Sequence, residues 1–280
     1  MNKINIRLMN LWRLFLHISF RPFTYSRTSI VNNEWDWLIV IDACRYDDFK
    51  QVNFLNGTLK KYISNASSTR EWLHKNFNRE CSNIVYYSTN AYLSDFMLKK
   101  IIGKNPFHRI FNIWDYGWDK KLQTVLPNTV NEIVLENIDN FQGERKIIHY
   151  AQPHLPFLPI IHKVDAIKKE CKSDIMKTKI PLYTNNKLNI LKKELNKSIE
   201  MRDIWDLLIN QKIPLEEARG AYRKNIVIVL KKIQELLPYL NGKIVITSDH
   251  ANLFGEYCLY AHPSGLRVRK LVEVPWFEVS

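Results

Sequence analysis

Two short apolar runs in this chain end in acidic residues. Residues 37–41 read WLIVI and run directly into Asp42; residues 243–247 read KIVIT and run into Ser248, Asp249 and His250. Short, continuous, β-branched runs without polar alternation are strands buried on both faces, the habit of a parallel sheet. Residues 83–87 (NIVYY) and 146–150 (KIIHY) are two further candidates. Residues 274–279 (VPWFEV) make a last one, where Pro275 predicts an edge position because it cannot donate to a ladder. Between these runs the period changes. Ala218, Ala221, Tyr222, Ile226, Val229, Leu230, Ile233 and Leu237 recur at three- and four-residue steps, and so do Leu188, Leu191, Leu195 and Ile199. Strands alternating with amphipathic helices predict an α/β fold: a mostly parallel central sheet with helices on both faces, three layers α/β/α.

A chain of 280 residues suits one large α/β domain as well as two small ones. With 46% hydrophobic and 25% charged residues it has an ordinary globular composition and needs no staple. Its organisation reads as a basic amphipathic segment over residues 1–30 and a single domain over 31–280, with a helical insertion at about 165–214. Cys44, Cys81, Cys171 and Cys258 lie far apart with no CxxC pair, which argues against a zinc ribbon or disulfide framework and for reduced thiols in the cytoplasm.

The net charge of +13 calls for an anionic partner or a lysine-rich solvated surface. Much of the excess sits between residues 163 and 197, without the aromatic and glycine pattern of an RNA-binding sheet, so no nucleic acid is expected. At the N-terminus, apolar residues such as Leu8, Leu11, Trp12, Leu14 and Phe15 are interrupted by Lys3, Arg7, Arg13 and His17. The apolar run is too short to span a bilayer, and no small-residue cleavage site follows it. Two readings stay open: a helix lying in a membrane interface on the cytoplasmic face, or one packed against the domain.

Ligands of open α/β sheets bind beyond the carboxyl ends of the strands. Three strand ends here carry reactive groups: Asp42, the stretch around His149 and His154, and Asp249-His250. A carboxylate and an imidazole beside each other are ligands for zinc, manganese or magnesium, or a surface pair after a core strand. Asp42 is costly at a buried strand exit unless a metal or a helix N-terminus meets it, and an N-cap role is the plain alternative. Residues 64–72, SNASSTREW, cluster hydroxyls; Ser68 with Glu71 makes a capping box, which is compatible with a nucleophile in the same place. Asp47 and Asp48 read as helix-surface residues, Cys44 as a small buried filler and His149 as core.

Together these segments resemble the alkaline-phosphatase and sulfatase-like superfamily. The resemblance rests on IVITSDHANLFGE (244–256), similar to that family's TSDHG…GE motif, and on WLIVIDACRYDD (37–48), similar to its first metal-ligand motif. HYAQPHLPFLP (149–159) and AHPSGLRVRKLVEVPW (261–276) add the segments that hold its substrate-contacting histidines and late strand. The resemblance implies Asp42, Asp249 and His250 as ligands of a divalent ion (Zn, Mn, Mg or Ca), with His262 as a further ligand or an anion contact. It implies a nucleophile in the hydroxyl cluster, Ser68 first with Thr69 and Ser67 behind it, and His154 as substrate contact or general acid. Arg45 is structural or faces an anion; Arg267, Arg269 and Lys270 are surface charge or phosphate contacts. Gln152 stands where a second ion would want a carboxylate, which favours one ion. Ala251 replaces the usual glycine, a mild disturbance of the turn.

The implied function is that of a metal-dependent phosphoester hydrolase or phosphotransferase. Its expected partner is a phosphate- or sulfate-ester substrate, carried on a glycan or lipid, with peripheral membrane contact. A sulfatase is the alternative, weakened because SSTREW lacks the Pro and final Arg of the formylglycine motif. A non-catalytic anion- or membrane-binding protein on a decayed scaffold is the third reading.

Overall fold

A computed structural model describes residues 11–20, 29–177 and 204–280. Seven strands form one sheet: β1 (Trp37–Ile41), β2 (Gly57–Ile63), β3 (Cys81–Ser88), β4 (Phe107–Asn112), β5 (Arg145–Tyr150), β6 (Ile244–Thr247) and β7 (Glu273–Val279). Their order is β2-β7-β6-β1-β5-β3-β4. The neighbours from β6 to β4 pair in parallel, whereas β7 runs antiparallel to both β6 and β2. The helices of six or more residues after residue 29 are α1 (Tyr46–Val52), α2 (Thr69–Asn76), α3 (Asp95–Ile102), α4 (Pro127–Asn137), α5 (Ile161–Lys177), α6 (Ile204–Ile209) and α7 (Leu215–Leu236).

Alternation along the strands sorts the core into two faces. Trp37, Ile39 and Ile41 join Tyr87, Ile148, Tyr150 and Ile246 under α1, α4, α6 and α7. Leu38 and Val40 join Tyr86, Ile147 and Val245 under α2 and α3, through Trp72, Leu73, Leu98 and Ile101. Every residue of β1 is buried, as expected of a central strand with helices on both sides. The sheet is therefore the middle layer of an α/β/α sandwich.

The register fixes where the chemistry falls. Val40 is level with both His149 of β5 and Thr247 of β6, so these three strands end together and deliver Asp42, residues 151–154 and Ser248-Asp249-His250 to one edge.

One expectation changes, and two strands escape the sequence pattern. Pro275 does not mark the edge, because β7 pairs on both sides. Its ring nitrogen is accommodated because the β6 pairing ends at Thr247, level with Trp276; Thr247 Oγ1 instead donates to the Pro275 carbonyl at 2.7 Å. The true edge beside β7 is β2, GTLKKYI, which sequence patterning missed because it is half-solvated and carries Lys60 and Lys61, residues that protect an edge. The other edge, β4 (FHRIFN), was missed for a similar mixture of polar and apolar residues. The expected helix through Leu188, Leu191, Leu195 and Ile199 lies outside the described residues.

Residues 11–20 are helical and rest on the domain. Leu16 is buried with Leu253, Leu259, Leu266, Val268 and Leu271. Trp12 Nε1 donates to the Tyr257 carbonyl at 2.9 Å, and Phe20 meets the Tyr257 ring edge-on. The other face leaves Leu11, Leu14, Phe15 and Ile18 exposed. No helix among the described residues is long and apolar enough to cross a membrane.

Candidate active site

The loop after β1 turns sharply at Ala43, whose φ is +61°. The cap of α1 is Arg45, so Asp42 is not its N-cap and the plain alternative for that carboxylate fails. Asp42 is buried; its Oδ2 has Asn90 Nδ2 at 3.5 Å and His149 Nε2 at 3.8 Å, while its Oδ1 has no hydrogen-bond partner among the described residues. Burial pushes this carboxyl well above the usual carboxylate range, and the charge of Asp249 pushes it further.

Asp249 is fully buried and well served. Its Oδ1 accepts from the Ala43 and His250 backbone N–H groups at 3.1 and 2.9 Å, and its Oδ2 from Thr69 Oγ1 at 2.7 Å. Burial alone would raise it, but neighbouring histidine charge and these hydrogen bonds outweigh burial and hold it down at about 2. The His250 Nδ1 lies 3.0 Å from the Ala251 carbonyl, which can only accept, so Nδ1 carries the proton. His250 Nε2 lies 3.7 Å from Asp42 Oδ1, 3.4 Å from Asp249 Oδ2 and 3.5 Å from Thr69 Oγ1. Ala251 adopts no positive φ, so its methyl group costs no backbone strain where glycine is usual.

A divalent ion fits this cluster. One ligand atom each from Asp42, Asp249 and His250 lies within 4.8 Å of the others, and Asp42 Oδ1 has no hydrogen-bond partner among the described residues and is free to meet a cation.

The hydroxyl cluster separates by role. Ser68 is the N-cap of α2: its Oγ accepts from Glu71 N–H and lies 3.1 Å from Ser264 Oγ. The Ser67 backbone N–H and Oγ both donate to Glu71 Oε2, at 2.8 and 3.0 Å. Thr69, the first residue of α2, is the one whose hydroxyl enters the Asp249–His250 cluster. Across the cleft, His154 Nε2 and His262 Nε2 are 3.0 Å apart, and the His262 and His250 rings lie with centroids 4.4 Å apart at an angle of 32°. Burial, with His250 beside both, lowers His154 to about 4 and His262 to about 2, although an edge of each reaches solvent. Both rings are thus neutral at pH 7 and share one N–H between them. Asp42, Thr69, His154 and His262 all border a cleft of about 610 Å³. A cleft of similar size, about 630 Å³, opens at the other end of the sheet beside Asp36, Asp139 and Glu144, away from every residue just described.

Several residues of the motifs are framework instead. Arg45 is buried and binds Asp47 at 2.8 Å, Asp48 at 3.2 Å and Glu256 at 2.7 Å, so it does not face an anionic ligand. Asp48, expected on a helix surface, is fully buried between Arg45, Arg219 and Arg223; its partners come from α7, far along the chain. Asp47 also leaves the surface reading, pairing with Arg45 and Lys270. Arg267 is buried and donates to the Ser64 carbonyl at 2.9 Å and to that of Asn65. Cys44 is a buried filler whose N–H donates to Ser248 Oγ at 2.8 Å. His149 is core, as expected, but it also abuts Asp42, with Tyr86 OH 2.9 Å from its Nδ1. Asn90 was not foreseen.

Comparison with solved structures bears on the fold. The soluble domain of lipooligosaccharide phosphoethanolamine transferase A from Neisseria meningitidis superposes with a TM-score of 0.51 at 11% identity, over 87% of this chain and 75% of that domain. The chain has the alkaline-phosphatase and sulfatase-like fold. The integral membrane form of the same Neisseria protein aligns with a TM-score of 0.48 at 12% identity, covering 86% of this chain and 47% of that one. The lipoteichoic acid synthase LtaP from Listeria monocytogenes aligns at 0.47 and 10% identity, covering 94% and 71%. No family model matches the sequence, and no curated protein does. In this alkaline-phosphatase-like frame, residues just after β1 and β5 and the α2 N-terminus border one cleft, with Asp249 and His250 from the β6 end behind Thr69.

Proposed function

We propose that the chain is a metal-dependent phosphotransferase or phosphoester hydrolase whose nucleophile is Thr69. The observation that carries this reading is the position of Thr69 Oγ1: 2.7 Å from Asp249 Oδ2 and 3.5 Å from His250 Nε2, at the first turn of a helix. Ser68, the first choice from sequence, is occupied as a cap and is the weaker candidate.

Asp42, Asp249 and His250 would hold the ion, which supplies positive charge to lower the pKa of the hydroxyl and to offset the phosphoryl oxygens. The N-terminus of α2 carries Thr69 itself and favours an anion beside it. Attack passes the Thr69 hydroxyl proton to Asp249 Oδ2, which already accepts it at 2.7 Å, forms the Oγ1–P bond and breaks the P–O bond to the leaving group. The departing oxygen takes a hydrogen bond, and then a proton, from the His154–His262 pair; the incoming phosphoester's negative charge raises those imidazoles from their low resting values. Water or an acceptor hydroxyl then displaces phosphothreonine and restores Thr69.

The structural neighbour from Neisseria is a lipooligosaccharide phosphoethanolamine transferase. By analogy, we take a glycan- or lipid-carried phosphoester as the substrate class here. The exposed Leu11, Leu14, Phe15 and Ile18 support contact with a membrane surface, and the three described cysteines, all free, support its cytoplasmic side. A sulfatase would need formylglycine at Ser68 or Cys44; one is committed to the cap and the other is buried.

The test is turnover of a phosphoester library with added zinc, manganese or magnesium, read with intact mass. Thr69→Ala is expected to lose on the order of a thousandfold or more in turnover and all phosphoryl adduct. Ser68→Ala should lose less than about tenfold and about 1 kcal/mol of stability. The reverse ranking would move the nucleophile to Ser68, and a protein that neither binds nor responds to any divalent ion would end the proposal.

A further inference from the structure

Beside Thr69 the cleft is walled by two exposed aromatic side chains. Trp118 is 45% and Tyr92 38% exposed, in a domain that buries most of its other aromatic residues. Among the described residues, neither the indole N–H of Trp118 nor the hydroxyl of Tyr92 makes a hydrogen bond. Exposed aromatic faces that share a cleft with a reactive centre are surfaces kept for a ligand.

Both are tied to the catalytic cluster. Tyr92 sits in the 3₁₀ turn Ala91–Leu93, whose N–H is capped by Asn90 Oδ1 at 3.0 Å; the same Asn90 reaches Asp42 through Nδ2 at 3.5 Å. Trp118 lies on a small hairpin in which it pairs with Val125. The hairpin tip is fixed by Asp119 Oδ1, which accepts from the Lys121 and Leu122 N–H groups at 2.8 Å each. Its base is held by Gln152 Nε2, donating to Thr124 Oγ1 at 3.2 Å and the Val125 carbonyl at 3.1 Å. Gln152 belongs to the segment that carries His154. One aromatic wall is therefore positioned from the metal-ligand side and the other from the histidine side.

We infer that Trp118 and Tyr92 form a subsite for a pyranose ring of the substrate or acceptor. The chemistry of the lining selects the occupant. The two aromatic side chains share the cleft with the side-chain amides of Asn90 and Gln123, which matches a sugar, apolar on its C–H faces and polar around its rim. An acyl chain would leave those amides facing hydrocarbon, a poor exchange. Arg70 borders the same cleft with no partner among the described residues, and it suits an anionic substituent on that ring. This inference rests on the proposed function only for where the phosphoryl group sits.

The experiment separates the ring from the phosphate. Binding to the full-length chain is read by saturation-transfer NMR with a panel of neutral methyl pyranosides, and by competition with hexose 6-phosphate and glycerol phosphate. Trp118→Ala should weaken pyranoside and hexose 6-phosphate binding at least about fivefold and leave glycerol phosphate within about twofold, and Trp118→Phe should restore most of the loss. Tyr92→Ala should act in the same direction; circular dichroism confirms folding, which substitution of these exposed residues leaves intact. If no pyranoside binds, or if Trp118→Ala weakens glycerol phosphate equally, the subsite is overturned while the phosphoester reading stands. If nucleoside monophosphates outcompete hexose phosphates and that preference is lost in Trp118→Ala, the occupant is a base and the sugar assignment is overturned. Pyranosides that bind in a Trp118-dependent way when neither phosphate does would uphold the subsite and remove the phosphoester reading.

Discussion

Replacing Asp42 by asparagine should stabilise the metal-free protein and abolish its stabilisation by metal. Asp42 and Asp249 place carboxylate oxygens within 4.8 Å of each other in a buried site. Two full charges at that separation repel by roughly 3–4 kcal/mol at an effective dielectric near 20. Burial first, and this repulsion second, make Asp42 hold its proton, so its carboxyl lies well above the ordinary value. Asparagine keeps the shape and removes the remaining repulsion, so a gain of about 1–3 kcal/mol, or roughly 3–9 °C in Tm, is expected in metal-free protein at pH 8.

The sign of the pH dependence follows from the raised value. The native protein holds a proton that the unfolded chain has already released, so its stability falls as pH rises from the ordinary carboxylate range toward the raised value. Below that range both forms are neutral and the penalty vanishes. The Tm difference between Asp42→Asn and wild type should thus be small near pH 4 and widen toward pH 8. Zinc at a hundredfold excess over its Kd should add about 2.7 kcal/mol to the wild type, roughly 5–10 °C, and far less to the variant. Differential scanning fluorimetry with and without chelator measures all of this. A metal-free variant less stable than wild type at pH 8, or equal stabilisation of both by zinc, would refute the cage built from Asp42, Asp249 and His250.

Asp48→Asn should cost about 3 kcal/mol in urea unfolding, because it leaves Arg45, Arg219 and Arg223 short of their buried counter-charge, whereas Asp47→Asn, a third exposed, should cost less than about 1 kcal/mol. Tyr222→Phe removes a hydroxyl that accepts from Arg45 N–H and donates to the Ala43 carbonyl, both at 2.8 Å; it should lower stability by about 1–2 kcal/mol and metal affinity, by titration calorimetry, about tenfold. The full-length chain should sediment with anionic vesicles at low salt and release at high salt, and Phe15→Glu with Ile18→Glu should abolish the binding; indifference of the wild type to such vesicles would leave helix 11–20 as a packing element only.

The strand ends were legible because a buried strand has a plain signature and its first polar residue stands out against it. Asp42, Asp249 and His250 could be placed on one edge before any coordinates, and the β1, β5 and β6 register brings those strand ends together. What the sequence could not resolve was direction. Ser68 and Thr69 are adjacent hydroxyls at one helix start, and only the turn of the backbone decides that one caps the helix while the other meets Asp249. Asp48 was misjudged for a different reason. A polar residue in a helix reads as solvated unless its partners are visible, and Arg219 and Arg223 lie on a helix far along the chain. His149 was placed in the core on strand pattern alone; strand parity, which sets it on the opposite face from Tyr150, says nothing of how near it comes to Asp42.

The two motifs that looked most like catalytic machinery are half frame, and that division explains their composition. The loop after β1 and the loop after β6 are joined four times: Ala43 N–H to Asp249 Oδ1 at 3.1 Å, Cys44 N–H to Ser248 Oγ at 2.8 Å, and Arg45 to the Asn252 carbonyl at 3.1 Å and to Glu256 at 2.7 Å. Glu256 closes its own turn as well, accepting from the Phe254 N–H at 2.6 Å after Gly255, whose φ of +106° only glycine adopts freely. Without these ties, Asp42 and Asp249 would have no reason to stay together, since as bare carboxylates they repel. The frame residues thus hold in place an arrangement that electrostatics alone opposes, and a bound cation would convert that repulsion into binding energy. Conspicuous residues such as Arg45 and Cys44 therefore do the holding, while Thr69 and Asn90 border the cleft beside Asp42.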